Sequence, residues 1–227
     1  MDDINGILIV DKDKEMTSHD VVHYIRKKFS VRKVGHAGTL DPNATGVLVL
    51  LLGKYTKMSE TFTGEEKEYI ATVRLGQRTD SGDCEGEIIE EREIFATQEE
   101  IREELMSFKG ETDQIPPMVS AKKIKGKRLY TLARKGIEIE RKPNKIFIRE
   151  IEAEKIDIPF MYIKVTCSKG TYIRQIADDL GKKLGCGGHL TELRRTRSGD
   201  FSIDKALSLA CIAKMNIKDL DENLIRI

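Results

Sequence analysis

The chain has 227 residues, of which 39% are hydrophobic and 34% are charged. This composition is typical of a globular protein with a highly charged surface, and it excludes an intrinsically disordered chain. The formal net charge of +1 excludes a uniformly basic molecule, so any nucleic-acid-binding surface must concentrate its positive charge on one face.

The N-terminus and the cysteines indicate a soluble cytoplasmic protein. The N-terminus carries two acids and a short apolar run, whereas a signal peptide has a basic start and a long apolar stretch. No segment approaches the roughly 20 apolar residues of a membrane span. The four cysteines are widely spaced, which favours reduced thiols over a disulfide framework or a zinc site.

The N-terminal part of the chain is predicted to begin with a strand and a helix. A β-branched apolar run predicts a strand at residues 6–10, and a helix follows Thr17, with apolar residues at helical spacing as far as Phe29. Glycines predict a loop at residues 34–46. The unbroken apolar run at 47–52 lies between two glycines and predicts a buried strand.

The rest of the chain mixes strands and helices without strict alternation. In chain order the sequence predicts a short helix at 54–62, strands at 68–75 and 87–91, a helix at 97–108 that opens with a capping box, a short helix at 129–135, strands at 146–156 and 160–167, a helix that Thr171 caps and that runs to Lys183, a loop at 185–188, and a strand end with one or two helices from Phe201 onwards. We therefore predict an α+β fold, in which helices pack on a mixed, largely antiparallel sheet.

Charge is distributed unevenly along the chain. Residues 80–104 contain eleven acids and two arginines, whereas residues 119–145 contain ten lysines and arginines and two glutamates. Blocks of like charge are most often solvated surfaces, and a surface that binds a polyanion is the alternative. The basic block predicts a protruding insert in a single catalytic-size domain.

The densest candidate for chemistry is the glycine-rich segment 35–46, which contains Asp41. Glycines allow tight turns and close approach of a ligand to the backbone, and Pro42 favours an extended Asp41. A carboxylate in a loop braced by a rigid strand is a common form of functional site. The alternative is an ordinary turn, because the Asp-Pro-Asn sequence favours one.

Two further segments carry candidate residues. In residues 168–174 a strand ends, a glycine turns the chain and a helix begins, which places Tyr172 and Arg174 in the first helical turn, where they could project into a cleft. An arginine there could keep a buried Asp41 carboxylate ionised, or it could be a surface residue of an amphipathic helix. Residues 193–197 form a basic cluster that suits phosphate contacts or, alternatively, a solvated loop.

Other common site types lack support in the sequence. His19 and His23 have helical i, i+4 spacing, but no third metal ligand is recognisable nearby. The phosphate-binding G-x-x-x-x-G-K-[ST] motif, the dinucleotide-binding G-x-G-x-x-G motif and the esterase G-x-S-x-G motif do not occur.

Five collinear blocks resemble the TruB family of tRNA pseudouridine-55 synthases. The blocks are residues 35–42 (GHAGTLDP) with 44–48 (ATGVL), Tyr69 with 75–80 (LGQRTD), 114–121 (QIPPMVSA) with 126–130 (GKRLY), 167–174 (CSKGTYIR) with 178–181 (DDLG), and 188–190 (GHL) with 193–195 (LRR). The resemblance runs from about Gly6 to Phe201.

The resemblance implies roles for individual residues. Asp41 corresponds to the catalytic aspartate, Arg174 to the arginine that pairs with its carboxylate, and Tyr69 to the tyrosine that stacks on the flipped base. His36 corresponds to the histidine that helps hold the target nucleotide out of the RNA stack. Further substrate-binding positions are expected at Tyr172, Leu193, Lys127, Arg128 and Arg194.

The resemblance also implies a fold and an activity. It predicts the pseudouridine synthase fold, with a long, mostly antiparallel sheet, flanking helices and a central RNA-binding cleft. The expected reaction is isomerisation of uridine 55 in the T-loop of tRNA, without a metal or organic cofactor. We expect a monomer with no obligate protein partner and no membrane association. Residues 113–144 correspond to an insert that closes over the RNA stem-loop.

This sequence departs from the usual family pattern in two places. It has Asp11-Lys12-Asp13 where the family usually has Asp-Lys-Pro, a change that removes no proposed catalytic group. The residues after Phe201 are too few for the family's additional C-terminal RNA-binding domain, of the PUA type. We therefore expect a single domain over residues 1–227, with weaker and more salt-sensitive tRNA binding than in longer members.

Three alternatives remain open from sequence. The same reaction could act on another RNA, or the chain could be an RNA-binding or tRNA-folding module without catalysis. A purely structural domain is the third alternative, and it accounts for none of the five blocks.

Overall fold

The computed structural model describes residues 4–120, 123–124, 127–129, 137 and 139–227. The predicted helix at 129–135 therefore lies outside the described residues except for Leu129. Lys127 and Arg128 are described as strand residues, and their side chains lie outside the described part of the chain.

Strands and helices alternate irregularly, as the sequence predicts. The strands are β1 (Gly6–Lys12), β2 (Val34–Ala37), β3 (Thr45–Leu52), β4 (Lys67–Leu75), β5 (Gln77–Thr79), β6 (Ile88–Glu91), β7 (Gly110–Gln114), β8 (Lys123–Ile124), β9 (Lys127–Arg128), β10 (Asn144–Asp157), β11 (Phe160–Cys167), β12 (Gly188–Ser198), β13 (Phe201–Ser202) and β14 (Leu207–Ser208). The α-helices are α1 (Ser18–Phe29), α2 (Ser59–Gly64), α3 (Gln98–Met106), α4 (Ile173–Lys183), α5 (Leu209–Lys214) and α6 (Ile217–Glu222), and 3-10 helices occupy Gly53–Met58 and Ile203–Lys205.

The chain divides into two compact units. The first comprises Met1–Tyr69 and Leu193–Ile227, and the second comprises Ile70–Glu192.

The first unit is organised around β3. This strand is antiparallel to β1 and β2, and it is parallel to β12, where Arg194 and Arg195 pair with Thr45 and Gly46. Residues 47–52 are all buried, which explains why this strand is apolar at every position. Helix α1 begins at a capping box formed by Thr17 and Asp20, and it buries its apolar face.

The second unit contains four strands that pair in the order β4, β11, β10 and β7. Strand β10 is antiparallel to both β11 and β7. Helix α3 contacts β10 and α4, and α4 buries the apolar face predicted from its 3.6-residue period. Strands β5 and β6 form a separate antiparallel pair.

The predicted α+β class with mostly antiparallel pairing is confirmed, and two local predictions are wrong. Residues 34–37 form strand β2 on the edge of β3, not a loop, because pairing with β3 outweighs their glycine content. Thr171 does not cap α4. Its hydroxyl donates to the carbonyl oxygen of Ser168 at 3.0 Å, and Tyr172 occupies the N-cap position.

Within the described residues of the structure, no helix is both long enough and apolar enough to cross a membrane.

Candidate active site

The loop between β2 and β3 places Asp41 at the first position of a tight turn. The amide of Ala44 donates to the carbonyl oxygen of Asp41 at 3.1 Å, which closes the turn that the Asp-Pro-Asn sequence favours. The Asp41 side chain is half-buried. Turn formation and a functional role are therefore compatible, because the turn fixes the backbone that carries the carboxylate.

A buried lysine holds one side of this turn. Lys12, at the end of β1, is 0% exposed, and its Nζ donates to the carbonyl oxygens of Asp13, Met16 and Pro42 at 2.8, 2.7 and 2.9 Å. Burial lowers the pKa of Lys12 to about 8, against the opposing effect of the nearby Asp41 carboxylate. Lys12 thus ties the turn at Pro42 to the end of β1 and supplies positive charge near Asp41.

A buried arginine braces both ends of the same loop. Arg195 of β12 is 1% exposed, and it donates from Nε to the carbonyl oxygen of Val47 at 2.7 Å and from Nη2 to that of Gly38 at 2.9 Å. Gly46 approaches Arg195 so closely that a Cβ there would lie 2.2 Å from the Arg195 carbonyl oxygen. Residue 46 must therefore be a glycine for the strands to pair as they do.

The middle of the loop is held by a serine from α1. The hydroxyl of Ser18 accepts from the amide of Leu40 at 2.9 Å and lies 3.2 Å from the Leu40 carbonyl oxygen. Both Ser18 and Leu40 are buried. The residue immediately before Asp41 is thereby fixed to the first turn of the helix.

His36 lies on β2, opposite Leu50 of β3. Burial lowers the pKa of His36, and the nearby charges of Arg195 and His19 lower it further, so the imidazole is neutral at neutral pH. Its Nδ1 is buried and has no hydrogen-bond partner among the described residues. The contact of His36 with RNA stays a prediction.

Tyr69 lies on β4, on the face whose residues are buried, and it is 9% exposed. An aromatic ring at this position packs within the protein and presents little surface. Stacking on a flipped base stays a prediction from the family resemblance.

Arg174 lies in the first turn of α4 and is 4% exposed, so the interpretation as a surface arginine is wrong. In the second unit its Nη1 forms an ion pair with the Asp83 carboxylate at 3.1 Å. The guanidinium also donates hydrogen bonds from Nη1 to the carbonyl oxygen of Ser81 at 3.2 Å and from Nη2 to that of Val119 at 2.9 Å. The pairing of Arg174 with Asp41 stays a prediction.

A glutamine side chain fixes the backbone of Tyr172. Gln114, at the end of β7, is 4% exposed, and its Nε2 donates to the Tyr172 carbonyl oxygen at 3.0 Å. Its Oε1 accepts from the Tyr172 amide at 2.8 Å. This paired contact sets the position from which α4 begins, two residues before Arg174.

The basic cluster 193–197 is part of strand β12, so its interpretation as a solvated loop is wrong. Arg194 makes a bidentate contact with Asp11, with distances of 3.1 and 2.8 Å, and its Nη1 lies 3.3 Å from the Thr45 hydroxyl. Leu193 accepts a weak hydrogen bond of 3.5 Å from that same hydroxyl at its carbonyl oxygen. The substrate contacts of Leu193 and Arg194 stay predictions, as do those of Lys127 and Arg128.

Several residues around these positions were not predicted from sequence. Lys12 carried one usable signal, because it belongs to the Asp-Lys pair that this sequence shares with the usual family pattern. Gln114 and Arg195 lie in the family-like blocks, but their contacts could not be predicted, and Ser18 and Asp83 carried no signal. Each of these four acts on a residue that is distant in sequence. Among the described residues, no three His, Cys, Asp or Glu side chains are grouped as a metal ion requires.

Two family models match the chain. The model of the TruB family pseudouridylate synthase N-terminal domain matches residues 26–173, and the model of the tRNA pseudouridylate synthase B C-terminal domain matches residues 174–227. Neither model concerns a PUA-type domain, so the expected absence of that domain stays a prediction.

Curated relatives and solved structures agree with the family models. The tRNA pseudouridine synthase B of Protochlamydia amoebophila is 50% identical over 224 residues, which is 98% of this chain and 84% of that protein. The protein of the same name from Alkaliphilus oremlandii is 49% identical over 96% of this chain and 73% of its own length. A chain in the crystal structure of a Cbf5-Nop10-Gar1 complex superposes with a TM-score of 0.71 and 30% identity, over 90% of this chain and 52% of that one.

A chain in the structure of an H/ACA RNP bound to a substrate RNA containing 2'-deoxyuridine gives a TM-score of 0.68 at 28% identity. This match covers 90% of this chain and 51% of that one. Because the family models together span residues 26–227 and relatives share about half of their residues over almost the whole length, the chain belongs to the TruB family of pseudouridylate synthases.

Proposed function

We propose that this protein isomerises uridine to pseudouridine in tRNA, at position 55 of the T-loop, with Asp41 as the catalytic residue. The observation that carries the proposal is the bracing of the Asp41 loop by Lys12, Ser18 and Arg195 in a member of this family. Relatives at about 50% identity are named tRNA pseudouridine synthase B. The cytoplasm, where tRNA is used, is the proposed compartment.

The bracing of the loop matches what the reaction requires of a carboxylate. A nucleophile or base must be held in one position relative to the reacting atoms, because a misplacement of about 1 Å costs on the order of a hundredfold in rate. Three contacts from separate elements fix the backbone on either side of Asp41. The carboxylate itself is half-buried and so can reach a ligand.

The isomerisation rearranges bonds within one nucleotide. The N1–C1′ bond breaks, the uracil turns, and a C5–C1′ bond forms, while C5 loses a proton and N1 gains one. No atom is lost and no oxidant is needed. An aspartate carboxylate can attack C1′ as a nucleophile or remove a proton from the sugar, and both roles need the ionised form.

The target base must leave the RNA stack before it reacts. Extrusion costs a few kcal/mol, and stacking on an aromatic side chain recovers about 1–3 kcal/mol. We assign this stacking to Tyr69, and we assign the neutral imidazole of His36 to a contact that holds the nucleotide out. The T stem-loop of tRNA is the proposed part of the substrate that carries the uridine.

The direct test is incubation of the protein with unmodified tRNA transcript, followed by mapping of pseudouridine at single-nucleotide resolution. Wild type is expected to modify the T-loop uridine, and Asp41→Asn is expected to bind tRNA without forming product. The asparagine variant is the matched control because it preserves side-chain size and removes the negative charge.

Other outcomes would replace the proposal. Modification of other RNAs but not of tRNA would establish a different substrate for the same reaction. Tight tRNA binding without product from wild type would establish a binding or folding module.

A further inference from the structure

Helix α1 and the turn that follows it form the most one-sided charge distribution in the first unit. Between Asp20 and Asp41 the chain has five lysines and arginines and no aspartate or glutamate. Four of them, Arg26, Lys27, Arg32 and Lys33, are exposed, and together they define the α1 basic face. The fifth, Lys28, donates to the carbonyl oxygen of Ala213.

The charges of the α1 basic face are not neutralised within the described part of the protein. None of the four side chains forms a hydrogen bond, ion pair or ring contact with a described residue. Elsewhere, exposed lysines form ion pairs with carboxylates, as in Lys145–Glu111 and Lys218–Glu222. The α1 basic face therefore projects positive charge into solvent, where a polyanion can meet it.

The α1 basic face is connected to the Asp41 loop by one rigid helix. The first turn of α1 is fixed to that loop through the contact between Ser18 and Leu40, and Arg26 lies eight residues further along the helix. At 1.5 Å per residue, this separation is about 12 Å along the axis. This distance equals the rise of about four base pairs in a nucleic-acid duplex. A nucleic acid whose target nucleotide lies at the loop would therefore be long enough to contact both places.

The histidines of α1 lie between the loop and the cations. His19, His23, Arg26 and Lys27 have i, i+4, i+7 and i+8 spacing, so they share one side of the helix, and all four are exposed. This side of α1 therefore offers hydrogen-bond donors along the helix, and the carboxylate beside the histidines, Asp20, accepts hydrogen bonds from the amide and hydroxyl of Thr17. Such a track suits contacts to successive phosphates.

RNA fits this face better than a lipid surface does. Helices that lie on membranes insert large apolar side chains, whereas the apolar residues of α1 are buried in the protein. None of the exposed large hydrophobic residues of the described chain falls between Ser18 and Ala37. Charge without an apolar rim is typical of contact with a phosphate backbone.

We propose that the α1 basic face binds the phosphate backbone of the RNA whose uridine is presented to the Asp41 loop. This inference rests on the proposed function and adds a second contact surface for the same substrate. Phosphate contacts carry no sequence information, so the face would raise affinity and fix the orientation of the RNA without choosing the target.

The test is a charge-matched comparison of two quadruple variants. The basic-face variant replaces Arg26, Lys27, Arg32 and Lys33 with glutamine. The control variant replaces four exposed lysines elsewhere with glutamine, so that net charge changes equally: Lys109, Lys155, Lys205 and Lys218. Affinity for unmodified tRNA transcript is measured over a series of salt concentrations, with circular dichroism melting to verify folding.

The basic-face variant is expected to bind tRNA at least about tenfold more weakly than the control variant at low salt. Its slope of log affinity against log salt should become shallower by about 3 if all four side chains neutralise phosphates.

Three results separate the possible failures. If wild type binds no tRNA, the proposed function itself fails. If wild type binds and the two quadruple variants have equal affinities and slopes, only the α1 basic face is overturned. If the basic-face variant keeps tRNA binding but loses binding to vesicles of phosphatidylserine and phosphatidylcholine, the face serves an anionic membrane and the RNA assignment is wrong.

Discussion

Two fully buried cations, Lys12 and Arg195, lie against the loop that carries Asp41. Burying a charge is costly unless hydrogen bonds compensate, and both side chains donate to backbone carbonyl oxygens of the loop or its flanks. A hydrophobic residue could fill either position without that cost. We therefore infer that the two cations are present because they fix the position of the loop, and not for stability alone.

Replacement of Lys12 with methionine should reveal the lowered pKa of this lysine as a pH-dependent stability difference. In the folded protein the pKa is about 8, whereas the ordinary value is 10.5. Between these values the unfolded chain binds more protons, so the Lys12 contribution to the free energy of unfolding rises with pH. Chemical unfolding at pH about 7.5 and about 9.5 measures it.

The free energy of unfolding of wild type minus that of Lys12→Met should increase over this interval by on the order of 1 kcal/mol per pH unit. The exposed Lys109, replaced in the same way, is the matched control for loss of a lysine. A wild-type advantage that shrinks as pH rises would contradict the assignment.

Arg195→Lys is expected to lower kcat at least tenfold, about 1.4 kcal/mol, with a smaller effect on KM for tRNA. Lysine keeps the charge but cannot reproduce the guanidinium fork that holds the Gly38 and Val47 carbonyls together. The matched control is Arg197→Lys, because Arg197 lies on the same strand, half-buried, and pairs with Glu66.

A smaller folded fraction would also lower apparent kcat without changing KM, so kcat is expressed per folded enzyme, with the folded fraction measured by circular dichroism. Full kcat in folded Arg195→Lys would remove Arg195 from the positioning of the loop.

At the scale of elements, local periodicity predicted the strands and helices that bury a regular face. Residues 47–52 and α4 fall in this group, because their apolar patterns match the buried surfaces. Strand β2 and the strand assignment of residues 193–197 were missed, because both depend on pairing with β3 rather than on their own sequence. Family resemblance indicated Asp41, whereas its supports became visible only in the structure.

The junction between β7 and α4 gives a prediction at this scale. Gln114→Glu removes the donor that faces the Tyr172 carbonyl and places two oxygens in contact. Buried polar groups left unsatisfied cost about 1–3 kcal/mol, so we expect lower stability and lower kcat at neutral pH. A buried carboxyl takes up a proton readily, and protonation restores a donor.

The ratio of Gln114→Glu activity to wild-type activity should therefore rise as pH falls towards about 5. Gln114→Leu is the control, because it lacks a titratable group and should show no such recovery. Equal pH profiles for the two variants would show that the amide contact does not set the positions of α4 and Arg174.

At the scale of the whole molecule, a net charge of +1 means that long-range attraction cannot hold RNA. Affinity must then come from separate basic clusters, such as the α1 basic face and residues 119–145. The arginines of 193–197 are instead buried or paired with carboxylates within the protein. Acidic residues 80–104 would repel a phosphate backbone. The distribution of charge, not its sum, should set both affinity and orientation of the tRNA.

Replacement of Lys127 and Arg128 with glutamine tests the second cluster. If each neutralises one phosphate, the slope of log affinity against log salt should become shallower by about 1.5. The double variant Lys109→Gln with Lys155→Gln is the charge-matched control, and its slope should equal that of wild type.

Combining the Lys127 and Arg128 changes with the basic-face variant should add the two slope changes, because clusters that contact different phosphates release counterions independently. A combined slope equal to that of either variant alone would mean that the two clusters compete for the same phosphates.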